Sequence, residues 1–79
     1  MTQADSFDAV LDATGLKCPL PLLKARQAIM VLDKGARICV LATDPGAPRD
    51  FEEFVDATGH ILVSQAEADG VFTFVLEKS

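Results

Sequence analysis

The sequence predicts an α/β two-layer sandwich in which two helices cover one face of a four-stranded mixed sheet. Segments of strand length and segments of helical periodicity alternate in the order β-α-β-α-β-β. Each helical segment has one apolar stripe, and the last two strands are separated by the hairpin-turn dipeptide Asp69-Gly70. Two helices with one apolar face each can bury both faces against one side of a sheet.

The chain length sets the domain organisation. The 79 residues suffice for one domain and leave no room for a second. We assign residues 1–8 to a flexible polar tail and residues 9–79 to a single domain. The first strand is expected to begin at Phe7 or Ala9 and to end at Asp12.

The first helix is predicted from Pro19, which lacks the N–H group that a first helical turn leaves unpaired. Apolar residues then recur at helical spacing, at Leu22, Ala25, Ile29 and Leu32. Gly35 is expected to close this helix. Leu23 and Met30 fall off the main stripe, so they are either partly exposed or widen the buried face.

The second half of the chain repeats this alternation. Residues 37–43 form a continuous apolar run, as expected for an interior strand. A second helix is predicted from Ala47, with Gly59 as its stop. Residues 61–65 and 71–76 then form two strands of a hairpin.

Cys18 is the main candidate for chemistry, because it precedes the first helix directly. The unpaired N–H groups and the positive end of the helix dipole should make its thiol ionise more readily than a free cysteine. Pro19 and Pro21 should stiffen the backbone and hold the sulfur in one direction. Lys17 and Lys24 add positive charge that would favour a thiolate or an anionic persulfide. The alternative is a small buried apolar side chain beside a helix start.

Four further residues are supporting site candidates. Asp12 should tie the strand-to-helix turn through hydrogen bonds, although a carboxylate near the thiol could also alter its proton affinity. Gly15 should provide a positive φ or a close approach in that turn. Asp44 should cap and turn the chain into the second helix, with Arg49-Asp50 on the solvated surface. If the first two strands are parallel, Asp44 and Arg49 lie at the same sheet edge as Cys18.

The remaining metal-ligating residue types do not indicate a metal site. Cys39 lies within an apolar strand, which predicts a buried, inert thiol rather than a redox partner of Cys18. The two cysteines lack C-x-x-C spacing, and His60 at a strand start is usually structural. We therefore expect neither a metal nor a bound cofactor.

Composition and charge argue against some classes of binding partner and favour one cellular location. A net charge of −5 opposes direct binding to nucleic acid. No apolar stretch approaches the ~20 residues needed to span a bilayer, so membrane insertion is not expected. The N-terminus lacks the pattern of a secretory signal, which favours a cytoplasmic protein with reduced cysteines. A monomer is the default expectation.

The run Cys18-Pro19-Leu20-Pro21, preceded by Leu11-Asp12-Ala13-Thr14-Gly15-Leu16, resembles the CPxP signature of the TusA/SirA family of sulfur-carrier proteins. The likeness extends from about Leu11 to Lys78 and includes Gly35, Asp44-Pro45, Arg49-Asp50 and Gly59-His60. This chain departs from close relatives at Leu20, where Glu is frequent, and at Thr58 and Gly59, which replace bulkier residues.

The resemblance implies a sulfurtransferase that works as a protein persulfide carrier, with Cys18 as its catalytic residue. A cysteine desulfurase or rhodanese would load Cys18 with sulfane sulfur, and an acceptor sulfurtransferase would receive it. The family serves tRNA thiolation, molybdenum-cofactor assembly and sulfur oxidation. Three alternatives stay open: a non-catalytic adaptor or regulator docking through Leu20-Pro21, a dithiol redox protein pairing Cys18 with Cys39, and an accessory of a thiosulfate or sulfur importer.

Overall fold

A computed structural model describes residues 7–79 of the chain. Its elements are β1 (Ala9–Ala13), α1 (Leu20–Met30), β2 (Arg37–Ala42), α2 (Ala47–Thr58), β3 (Ile61–Ala68) and β4 (Val71–Glu77). The predicted element order is therefore confirmed. Most of the proposed tail, residues 1–6, lies outside the described residues.

The four strands form one mixed sheet in the order β1-β2-β4-β3. β1 and β2 are parallel, and the other two neighbouring pairs are antiparallel. A parallel pair requires a crossover, which α1 supplies. Since Ala13 at the end of β1 pairs with Ala42 at the end of β2, the loops after these two strands leave the same sheet edge side by side.

The core lies between the helices and the sheet face that they cover. Apolar side chains from both layers are buried there, among them Ala25, Ile29, Ile38, Val40, Phe51, Phe74 and Leu76. The rings of Phe51 on α2 and Phe74 on β4 stack with their centroids 4.5 Å apart. This packing fixes α2 against the centre of the sheet, and with it the position of the helix start.

The first helix is shorter than the sequence predicts. It begins at Leu20 and ends at Met30, whereas the predicted helix ran from Pro19 to Gly35. Pro19 is the residue that precedes the first helical turn. Leu32 contacts the core from the turn that follows the helix, so its apolar pattern imitates one more helical turn. Gly35, with φ +88°, lies in the next turn, where its N–H donates to the Lys78 carbonyl at 2.8 Å.

Two glycines in the second half of the chain lie where the sequence predicts that elements end. Gly59 ends α2 with φ +86°, the left-handed conformation that glycine adopts without strain. Asp69 and Gly70 both have positive φ, as a tight two-residue hairpin requires. Because the strands continue to pair up to this turn, β3 extends to Ala68 rather than to the predicted Gln65.

Candidate active site

Cys18 lies in the turn between β1 and α1, two residues before the helix begins. The Leu20 N–H donates to the Lys17 carbonyl at 2.8 Å, and a cis peptide bond links Cys18 to Pro19. Cys18 is exposed, so the alternative of a buried apolar side chain is wrong. The structure thus presents the thiol to other molecules at the sheet edge where β1 and β2 end.

The sulfur has one carboxylate in direct contact. The Cys18 thiol Sγ donates a hydrogen bond to Oδ2 of Asp50 at 2.8 Å. Asp50 belongs to the first turn of α2, where its N–H donates to the Gly46 carbonyl at 3.1 Å. The starts of the two helices therefore meet at Cys18. The sequence predicted Asp50 only as a surface residue, and its contact with Cys18 was not predicted.

Asp44 brings a second carboxylate to the same place. Its Oδ2 accepts a hydrogen bond from the Gly46 N–H at 2.9 Å, and its carbonyl accepts one from the Ala47 N–H at 3.0 Å. Asp44 thus forms the predicted turn into α2, although Gly46 is the capping residue. A Cβ atom at Gly46 would stand 3.0 Å from the Asp44 carboxylate and 3.9 Å from the Cys18 Cβ. This close approach explains why a residue without a side chain suits that position.

These carboxylates reverse the expected acidity of the thiol. The hydrogen bond to Asp50 is the main cause that raises the pKa of Cys18 above its ordinary value. Desolvation and the negative charges of Asp50 and Asp44 add to the rise in this pKa. Within the described part of the chain, Lys17 and Lys24 make no hydrogen bond or ion pair that would oppose it. This direction is opposite to the expectation of a readily ionised thiol.

Two of the supporting candidates shape the turn that holds Cys18. The Asp12 carboxylate accepts hydrogen bonds from the Thr14 N–H at 3.0 Å and from the Thr14 hydroxyl at 2.6 Å. These bonds, led by the one from the hydroxyl, lower the pKa of Asp12. Gly15 has φ +81°, and its N–H donates to Thr43 Oγ1 at 2.9 Å, which links the two loops at the sheet edge. Both residues therefore support the turn, as the structural interpretation predicted.

The other supporting candidates on the two helices make no hydrogen bond with the sulfur in the described structure. Arg49 points into solvent and pairs with Glu53 on its own helix at 3.3 Å. Pro21 is buried on the inner side of α1, which is consistent with a role in fixing the helix start. Lys24 is exposed on α1. The assembled site consists of Cys18 with Asp50 and Asp44, and Asp50 is the member that sequence reasoning missed.

Large apolar side chains are exposed near both ends of α1. Leu20 and Leu23 are almost half exposed, at 45% and 43%, near its start, and Met30 and Val31 are exposed at its end. Leu23 and Met30 are thus exposed rather than part of a wider buried face. Leu20 follows Cys18 by two residues, and its contact with a partner stays a prediction.

The described residues give no support to a dithiol redox site or to a metal site. Cys39 is buried in β2, and no disulfide joins it to Cys18 in the described residues. Residues 7–79 contain no cluster of three or more His, Cys, Asp or Glu side chains that could hold a metal ion. Among those residues no helix has the length and apolar character to cross a membrane.

Comparison with known proteins gives one consistent family. The family model described as Sulfurtransferase TusA matches residues 9–78. A provisionally assigned sulfur carrier protein of Neisseria meningitidis serogroup A is 55% identical over 67 residues, which cover 85% of this chain and 90% of the relative. Sulfur carrier protein TusA of Allochromatium vinosum is 44% identical over 73 residues, covering 92% of this chain and 96% of the relative.

A solved structure supports the fold independently. The crystal structure of a SirA-like protein from Desulfitobacterium hafniense superimposes with a TM-score of 0.78. It is 22% identical in sequence, and the match covers 89% of this chain and 96% of that one. The two-layer arrangement with a four-stranded mixed sheet is therefore shared with that protein.

Proposed function

Because this chain belongs to the TusA sulfurtransferase family, a family of sulfur carriers, we propose that Cys18 is its carrier group. In this proposal Cys18 accepts sulfane sulfur as a persulfide from a donor protein and passes it to an acceptor protein. The observation that supports it best is the exposed Cys18 thiol, held at the sheet edge by the turn that contains the family signature. A carrier must meet two partners in succession, so its sulfur has to be reachable from outside.

Loading and release are two thiol exchange steps on the same sulfur. In loading, the Cys18 thiolate attacks the outer sulfur of the donor persulfide, and the donor cysteine leaves as a thiolate. In release, an acceptor thiolate attacks the outer sulfur on Cys18, and Cys18 leaves and regains its proton. One S–S bond forms and one breaks in each step, so neither step needs an oxidant, a metal or a bound cofactor.

The surroundings of Cys18 suit docking of protein partners. Leu20, two residues after Cys18, and Leu23, one helical turn farther along α1, expose apolar surface. Exposed apolar side chains next to a reactive group favour contact with a protein surface. We propose a cysteine desulfurase or rhodanese as donor and a second sulfurtransferase as acceptor, all in the cytoplasm, with the carrier as a monomer. Delivery to tRNA thiolation, to cofactor assembly or to sulfur oxidation would depend on the acceptor.

Mass spectrometry of the loaded protein tests this proposal. The reduced protein is incubated with a cysteine desulfurase and cysteine, then analysed intact and as peptides, beside Cys18→Ser and the matched control Cys39→Ser. We expect one added sulfur atom on the Cys18 peptide of the wild type and of Cys39→Ser. Cys18→Ser should stay unmodified.

The opposite result would favour a different class of protein. If several desulfurase and rhodanese donors leave Cys18 unmodified while an alkylating reagent still reaches it, the carrier proposal is wrong. A non-catalytic adaptor that docks through Leu20 and Pro21 would then take its place. Such an adaptor should keep its biological activity after Cys18→Ser.

A further inference from the structure

The contact between Cys18 and Asp50 differs between the empty protein, in which Cys18 is a thiol, and the loaded protein, in which Cys18 is a persulfide. In the empty protein Sγ carries a hydrogen and donates it to the Asp50 carboxylate at 2.8 Å. Loading replaces that hydrogen with a sulfur atom. A persulfide is a stronger acid than its thiol, because the added sulfur spreads the negative charge. Loading therefore exchanges a hydrogen-bond donor for an anion beside a carboxylate.

The other charges that act on Cys18 also disfavour an anion on its sulfur. Asp44, in the loop before α2, acts on Cys18 with the same sign as Asp50. On α2 the nearest cation in sequence, Arg49, is paired with Glu53 and directed into solvent. Lys17 precedes Cys18 in the turn and makes no ion pair in the described structure. The carboxylates are therefore the charges that act most directly on Sγ.

We propose that Asp50 promotes sulfur release by stabilising the empty thiol form of Cys18 relative to its persulfide form. The inference rests on the proposed carrier function and adds a residue to it. A carrier that binds its cargo too tightly would retain it, and the Asp50 carboxylate opposes such retention. Asp50 touches the sulfur atom at which both exchange steps take place, so it acts on the reacting group itself.

The exchange that Asp50 biases is balanced in atoms and charge. A persulfide anion on Cys18 reacts with an acceptor thiol to give the Cys18 thiol and a persulfide anion on the acceptor. The bond between Sγ and the outer sulfur breaks, and a bond between the outer sulfur and the acceptor sulfur forms. The acceptor proton ends on Sγ, where it can form the hydrogen bond to Asp50. No electrons enter or leave the pair of reactants.

An exchange equilibrium with glutathione and glutathione persulfide tests this inference. The loaded fraction of Cys18 is measured by mass spectrometry for wild type, Asp50→Asn, Asp50→Ala and the control Glu53→Gln. Glu53 lies on the same helix and contacts Arg49 rather than the thiol. Thermal unfolding of each variant confirms that it is folded. If one Asp50 variant does not fold, the other still provides the comparison.

We expect the ratio of loaded to empty Cys18 to rise about threefold in both Asp50 variants, the factor typical of one exposed charge contact. Glu53→Gln should match the wild type. A ratio in the folded Asp50 variants that equals or falls below that of the wild type overturns the inference but leaves the carrier function intact. A wild-type protein that takes no sulfur at all overturns the carrier function, and this inference with it.

Discussion

The pKa of the Cys18 thiol is the quantity on which the sequence and the structure disagree. The sequence predicts a lowered pKa, and the structure gives a raised one. Replacing Asp50 with Asn removes the carboxylate that accepts the thiol hydrogen bond at 2.8 Å and keeps the shape of the side chain. That hydrogen bond is the main cause of the raised pKa of Cys18. The variant should therefore have a lower thiol pKa and more thiolate at neutral pH.

The size of the effect follows from the separation of the two atoms. Coulomb's law in water gives a factor of about ten between unit charges at this distance. Salt and competing water reduce such exposed contacts, so we expect about threefold more Cys18 thiolate at pH 7. Because a thiolate of lower pKa is a weaker nucleophile, alkylation should be about twofold faster. The rate should be measured with iodoacetamide across a pH series, following the Cys18 peptide by mass spectrometry.

The pH profile decides whether this reasoning is correct. The wild type and Asp50→Asn should converge at high pH, where both thiols are ionised, and differ most below the pKa of the wild-type thiol. Glu53→Gln, which removes a carboxylate one turn farther along α2, should react like the wild type. Equal or slower alkylation of Asp50→Asn at pH 7 would refute the assignment of Asp50 as the residue that holds the proton on Cys18.

Three further predictions concern the scaffold. Phe51→Ala should lower the free energy of unfolding by about 3–5 kcal/mol in urea, since the ring is fully buried against Phe74; a loss below about 1 kcal/mol contradicts this packing. Gly59→Ala should cost about 1 kcal/mol, because φ is +86° while the nearest atom to a new Cβ is 3.9 Å away; unchanged stability would argue against that conformation. Asp12→Asn should destabilise the protein at pH 7 and have little effect in strong acid, below the folded-state pKa of Asp12. A lowered carboxyl pKa stabilises the fold above the unfolded pKa, and this stabilisation is lost as the pH falls through the folded pKa. A constant difference in the melting temperature across that pH range would contradict the role of the Asp12 carboxylate.

Local patterns were sufficient for most of the fold. Glycines that must adopt a positive φ, such as Gly59 and Gly70, mark where elements end whatever the tertiary structure. The first helix shows where such patterns fail, because Leu32 reaches the core from a turn and still fits the helical period. Periodicity in the sequence indicates which side chains are buried. It does not show where the helix ends, because that depends on the backbone hydrogen bonds.

The site was predictable in its central residue and not in its electrostatics. The helix start identified Cys18, and the parallel pairing of β1 and β2 brings Asp44 to the same sheet edge, as anticipated. The contact of Cys18 with Asp50 spans 32 residues and depends on how two helix starts meet. The prediction rested on the cations adjacent to the thiol, whereas carboxylates from a distant segment raise its pKa. The signal that could have revealed Asp50 is its place in the first turn of the helix that follows the Asp44 loop.

Tracing labelled sulfur through the protein shows whether Cys18 carries sulfur from a donor to an acceptor. Radioactive sulfur from labelled cysteine is loaded onto a desulfurase, and its arrival on an acceptor sulfurtransferase is timed with wild type or Cys18→Ser present. We expect label on Cys18 first and then on the acceptor, and it should reach the acceptor faster with the wild type than with Cys18→Ser. Equal rates with the two proteins, and no label on an accessible Cys18, would contradict it.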